Sequence, residues 1–139
     1  MFKLKKIIGA KNSIPEITTF YNDASNTEVT AGCIYMLDNS TLACELLEDN
    51  TKEVKFLSLI TVRGVEEYHL VPGILITRDM VFEADCDDSL SHVTVGDKVN
   101  LAYGYEGDIA KVTASDDATD AIVVDISNFN KKKIDIMFL

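Results

Sequence analysis

Asp85, Asp87, Asp88 and His92 form the densest group of potential ligands in the chain, and carboxylate oxygens at alternating positions are the hard donors that Ca²⁺ takes. The spacing does not extend into an EF-hand. Counted from Asp85, the sixth place holds Leu90 where the turn needs glycine, and the twelfth holds Gly96 where a bidentate glutamate is needed. The group therefore reads as a solvated acidic loop. Ser91 beside His92 could begin a hydrolase, but a nucleophile needs a base across the fold and an oxyanion site, and the chain has no G-x-S-x-G elbow. With two histidines in all, His69 and His92, a three-histidine zinc site cannot be assembled, and His69 between Tyr68 and Leu70 reads as a strand side chain. Cys33, Cys44 and Cys86 share no metal-finger spacing and read as reduced, buried small hydrophobes. The seven glycines are scattered, so no phosphate-cradling loop is present. Asp116-Asp117 and Glu66-Glu67 are adjacent pairs, which in strands point to opposite faces and cannot work jointly as acid and base. The expectation is a protein with no catalytic residues, no metal and no cofactor.

The elements that carry these residues are strands. From Ala31 onward, short apolar segments alternate with Gly, Asn, Asp and Ser, and helical periodicity is nearly absent. Strands are expected at 32–37, 41–46, 53–62, 67–71, 73–76, 80–84, 98–105, 110–114, 121–126 and 133–138. Val99, Leu101, Tyr103 and Tyr105 share one face of their segment and read as its core side. Ile122, Val123 and Val124 run without a polar face, as in a strand covered on both sides. Asn39-Ser40 and Glu106-Gly107-Asp108 suit hairpin turns, and Pro72-Gly73 reads as a break between two segments. No internal repeat is evident. The fold class is all-β, a small antiparallel β-barrel or sandwich, with residues 1–30 as an extended N-terminal arm and residues 31–139 as one barrel domain.

Leu, Ile, Val and Phe make up 43 of the 139 residues, enough for a real core in a chain of one-domain length. The longest apolar run, Cys33 to Leu37, is far shorter than a membrane span, and the start of the chain lacks the apolar region of a secretion signal, so synthesis in the cytoplasm is expected. The net charge is −10, which opposes binding to a phosphate backbone. It is unevenly spread: residues 1–11 carry four lysines and no acid, and residues 12–130 carry a net −16. A basic front end precedes an acidic body. In that front end Phe2, Leu4, Ile7 and Ile8 interleave with Lys3, Lys5, Lys6 and Lys11, a pattern suited to lying on a partner or on an anionic membrane surface.

The order of segments also carries a resemblance. AGCIYML at 31–37, TLACEL at 41–46, PGILITRDMVFEAD at 72–85, VGDKVNLAY at 95–103, AIVVDIS at 121–127 and KKKIDIMFL at 131–139 follow one another. This succession resembles the small β-barrel accessory proteins encoded among the head genes of tailed bacteriophages, the decoration or head-stabilising proteins of the capsid shell. The resemblance implies a non-enzymatic virion protein on the capsid surface, with the major capsid protein as partner, a possible homo-oligomer (dimer or trimer), and neither nucleic acid nor membrane bound. On that reading Phe2, Leu4, Ile7 and Ile8 anchor the arm on the shell while Lys3, Lys5, Lys6 and Lys11 face acidic shell residues. Two alternatives stand beside it: a tail or baseplate component, and a free β-barrel that binds a ligand or carbohydrate on Tyr68, Tyr103 and Tyr105.

Overall fold

The structure is a computed structural model and describes residues 1–10, 15–22, 28–38, 43–45, 55–63, 70–103 and 109–139. Among them are thirteen strands: β1 (Phe2–Ile7), β2 (Ile17–Asn22), β3 (Glu28–Val29), β4 (Ile34–Asp38), β5 (Ala43–Glu45), β6 (Lys55–Ser58), β7 (Val62–Arg63), β8 (Leu70–Leu75), β9 (Met80–Cys86), β10 (Lys98–Tyr103), β11 (Ile109–Thr113), β12 (Ala121–Asp125) and β13 (Lys133–Phe138). Two 3-10 turns, Asp88–Leu90 and Phe129–Lys131, complete the inventory, and no helix among the described residues is long and apolar enough to cross a membrane. The chain divides into two compact units, Met1–Ile14 with Thr77–Leu139, and Pro15–Ile76.

In the unit that holds β9 to β13, the pairs β9–β13, β13–β12, β12–β10 and β10–β11 are all antiparallel. β11 then returns to β9 in parallel, with Lys111 opposite Asp85 and Val112 opposite Cys86. The ring is closed, a five-stranded barrel. Period-two alternation decides what fills it: Phe82, Ala84, Val99, Val112, Ala121, Val123, Ile134, Ile136 and Phe138 are all buried. The Phe82 and Phe138 rings meet edge to face at 5.5 Å between centroids. Of the Ile122–Val124 run only Val123 is buried, its neighbours being half-buried.

β1 corrects the expected arm. It pairs antiparallel with β9 from Phe2 opposite Ala84 to Ile7 opposite Met80, along the part of that edge which β11 leaves open. Phe2 is only 3% exposed, its ring 6.2 Å from that of Phe138. The reason is visible in the pattern: Phe2 and Leu4 alternate with Lys3, so one side of the segment is apolar and gains by covering the barrel. Residues 17–22 and 28–29 are likewise in strands, not in an arm.

The other unit repeats the plan. β2–β8, β8–β6, β6–β4 and β4–β5 are antiparallel, and β5 closes on β2 in parallel through Tyr21 opposite Ala43 and Asn22 opposite Cys44. Numbered from its own first strand, each ring runs one, five, four, two, three and back to one. The registers agree as well. Tyr35–Phe56–Leu75 are successive cross-strand partners in one ring, as Val99–Ala121–Phe138 are in the other. So do the turns into the second strand of each: Gly32 and Gly96 both take positive φ, at 81° and 96°. Around them the Cys33 amide donates to the Thr30 carbonyl (3.3 Å) and the Gly32 amide to Ser58 (2.9 Å). The Asp97 amide likewise donates to Thr94 (3.1 Å) and the Gly96 amide to Val123 (2.8 Å). β3 and β7 form a separate short pair.

Pro72-Gly73 does not break the chain but lies inside β8. The Pro72 carbonyl accepts from the Leu59 amide at 3.1 Å, and Gly73 leaves space that the Phe56 ring fills. A Cβ at position 73 would stand 2.7 Å from the Phe56 ring and 2.8 Å from the Leu57 carbonyl oxygen. At the matching places of the other barrel stand Ala121 and Ile136, so the bulk comes from the opposite strand. Gly73→Ala is expected to destabilise by about 1–3 kcal/mol, the range for overpacking a filled core. Denaturant titration followed by tyrosine fluorescence measures it, and an unshifted midpoint would remove Phe56 from its place over Gly73.

Candidate functional site

The acidic loop sits where β9 ends. Along β9 residues 82, 84 and 86 face inward, so Asp85 faces outward, and the two strands flanking it set a lysine opposite it on each side: Lys133 in β13 and Lys111 in β11. Lys133 Nζ donates to Asp85 Oδ1 at 2.5 Å, and the amino group of Met1 donates to Asp85 Oδ2. Lys111 Nζ reaches past Asp85 to Asp87 Oδ2 at 3.2 Å. Lys132 Nζ lies 3.6 Å from Asp88 Oδ1, and the residue's left-handed backbone (φ 57°) closes the 3-10 turn before β13. Each of the three aspartates thus has a cation.

The loop is also pinned from within. Asp87 caps the 3-10 turn by accepting from the Ser89 amide at 3.1 Å and from the Ser89 hydroxyl. Ser89 Oγ lies 3.0 Å from Thr113 Oγ1 and accepts from the Ala114 amide at 3.1 Å, which ties the turn to the end of β11. Leu90 is buried beneath it. Burial pulls the Asp85 carboxyl upward, but hydrogen bonds from Lys133 and the amino group outweigh it together and hold the carboxyl below its usual value. The Ser89 hydroxyl, with Lys111, does the same for Asp87. The Asp85 hydrogen bond raises Lys133, whereas burial beside the three aspartates pushes the Cys86 thiol up, away from the reactive thiolate.

A second acidic group lies on the same outward face. Glu83 on β9, Asp135 on β13 and Asp125 on β12 are successive cross-strand partners, with Lys3 of β1 opposite Glu83. Carboxylates placed opposite one another repel. Lys5 relieves them: it is the extra residue of a β-bulge between Leu4 and Lys6, and the bulge aims its Nζ at Asp135 Oδ2, 2.7 Å away. Asp135 is 7% exposed, and its hydrogen bond raises the Lys5 pKa.

His92 is exposed at an open groove of about 610 Å³ whose walls include Ser89, Asp97, Lys98 and Asp116. Asp97 accepts from the Thr94 amide (2.9 Å) and hydroxyl (3.1 Å). Asp120, although buried, accepts from the Leu101 amide at 2.8 Å, a structural bond inside the barrel wall. Among the described residues no three His, Cys, Asp or Glu side chains are placed to hold a metal ion together.

The structure thus ties Asp85, Asp87 and Asp88 to lysines and sets His92 in the wall of a groove that those three carboxylates do not line. What the sequence reading missed is Lys111, Lys132 and Lys133, whose roles show only once the registers of β11 and β13 against β9 are known. Tyr103, expected on the core side, is 47% exposed; it stands at the end of β10, where the pairing with β11 takes in an extra β11 residue, Ala110. Lys11, Tyr68, His69, Tyr105 and the Glu66-Glu67 pair lie outside the described residues. No family model, curated protein or solved structure matches the chain.

The Asp85 and Asp87 carboxyls, lowered in the folded state, contribute stability that is present above the unfolded value near 4 and is lost as pH falls through their folded values. Each pair is open to solvent on one side and worth about 0–1 kcal/mol. Asp85→Asn is therefore expected to flatten the acid limb of the thermal midpoint plotted against pH below about 4. Parallel acid limbs in the two proteins would show that Asp85 is not paired as described.

Proposed function

We propose that this chain is a non-enzymatic structural protein of a tailed-bacteriophage head, which binds the lattice of the major capsid protein and stabilises the shell from its surface. The observation that supports this reading best is the state of the acidic loop. Its three carboxylates are tied to lysines and Asp87 also caps the turn, so the group with the best spacing for chemistry instead stiffens the barrel rim. What this barrel offers a partner is a rigid outer skin.

On this reading the N-terminal segment docks as a strand. Phe2 is buried and Lys5 is held by Asp135, which leaves Lys3, Lys6 and Ile8 as the exposed side chains that meet acidic and apolar patches of the shell. Leu4 and Ile7, half-buried, contribute the body of the strand. An interface of standard size, about 1,600 Å², spans micromolar to picomolar affinity, and many copies on one lattice multiply the restraint on shell expansion. The net charge of −10 keeps the chain off packaged DNA. Attachment to a tail or baseplate would use the same chemistry on another lattice. One observation favours a different reading, a module that stacks a sugar or other planar ligand: Tyr103 stands exposed at the end of β10.

Purified chain mixed with DNA-filled heads, with tails and with neither, then sedimented, separates these readings. Co-sedimentation with heads is expected, weakened by Lys3→Glu with Lys6→Glu. Recovery with tails alone would move the protein to the tail, and recovery with neither particle would end the virion reading.

A further inference from the structure

The two rings differ in one respect that their shared plan makes legible. In the second ring β1 lies along the edge of β9 over residues 80–84, beyond the two residues that pair with β11. The matching edge in the first ring is that of β2 before Tyr21 and Asn22, which pair with β5. Among the described residues no strand pairs there. The exposures agree with this. Val81 pairs with Met137 as Ile17 pairs with Ile74, yet Val81 is 3% exposed and Ile17 is 60% exposed. Glu16, Thr18 and Thr19 are exposed as well.

An open strand edge is a template for another strand, and proteins guard such edges with lysine, proline or a bulge. β1, which pairs only with β9 among the described residues, carries two of these: the exposed Lys3 and Lys6, and the bulge at Lys5. β2 carries none of these between Ile17 and Tyr21, and the sequence there, Ile-Thr-Thr-Phe-Tyr, is uncharged and rich in strand formers.

We infer that the edge of β2 is a strand-acceptor site and that its occupant is the same edge of a second copy of this chain, paired antiparallel across a two-fold axis. Three observations select that occupant. The matching edge of β9 accepts its strand antiparallel, which is the sense a two-fold axis imposes on two identical edges. The row that Lys3 and Lys5 complement in the second ring, Glu83 with Asp135, is replaced by Thr19 with Pro72 in the first, so a lysine-bearing strand such as β1 has no charge to meet there. An axis near Thr18 and Thr19 sets each Glu16 opposite the far, uncharged end of the partner strand, so no like charges face each other. The inference does not depend on the capsid reading.

The pairing is short and works against two bodies of charge −10, so it is weak and strengthens with salt. Sedimentation velocity over a concentration series, at about 0.1 M and about 1 M NaCl, where the screening length falls from about 10 to about 3 Å, measures it. The expected result is a monomer–dimer equilibrium that shifts toward dimer in high salt, with amide protection at residues 17–20 rising with concentration. Ile17→Lys and Thr19→Lys are each expected to abolish the concentration dependence at an unchanged thermal midpoint, although each lowers the net charge that opposes association. Ser115→Lys, on the other unit, is expected to leave it intact. A monomer at every concentration and salt, or a dimer indifferent to both β2 variants, overturns the proposal.

Discussion

The structure depends on a parallel contact two residues long, made twice. Val112 beside Cys86, with Lys111 beside Asp85, joins the third strand of one ring to its first, and Cys44 beside Asn22, with Ala43 beside Tyr21, does the same in the other. Without it each unit would be an open five-stranded sheet with two long edges and one uncovered apolar face. With it the sheet's two edge strands meet, and a ring of some sixty residues encloses its own core. The cost of so small a ring is a thin interior, which is why single side chains such as Phe56 and Phe138 carry so much of the filling.

That contact also organises the surface charge. It places Asp85 between two lysine-bearing strands, and the three carboxylates that look like a ligand set in the sequence become paired groups at the rim. Lys5 does the same for the buried Asp135 by means of one inserted residue. The acidic character of the chain is thus partly neutralised within the second barrel, where the carboxylates of the 85–88 loop are tied to lysines and Asp87 caps the turn.

Local pattern was a good guide wherever the local pattern was the cause. β13 runs over Lys133–Phe138 as alternation of Ile134, Ile136 and Phe138 implies, and Met80 to Ala84 emerge within β9. The repetition of the plan was not legible, because the two rings fill matching positions with different volumes: Phe56 over Gly73 in one, Ala121 with Ile136 in the other. Only Thr30-Ala31-Gly32 against Thr94-Val95-Gly96 keeps a common trace in the sequence. The pairing of β1 with β9 was hidden for another reason, since some seventy residues separate the partners and no local pattern records that distance. The lysines that neutralise the acidic loop were visible as residues, but their assignment required the register.

The separation of β1 from β9 has a consequence for how the molecule is made. On a ribosome adding about 5–20 residues per second, several seconds pass between the emergence of Phe2 and that of its partner Ala84. Throughout that interval Phe2 and Leu4 have no wall to cover, while all the strands of the first ring become available to one another. The whole 15–76 ring is therefore made before the last strands that cover Phe2. Joining β1 to β9 then closes a loop of more than seventy residues, whose entropy grows only with the logarithm of its length.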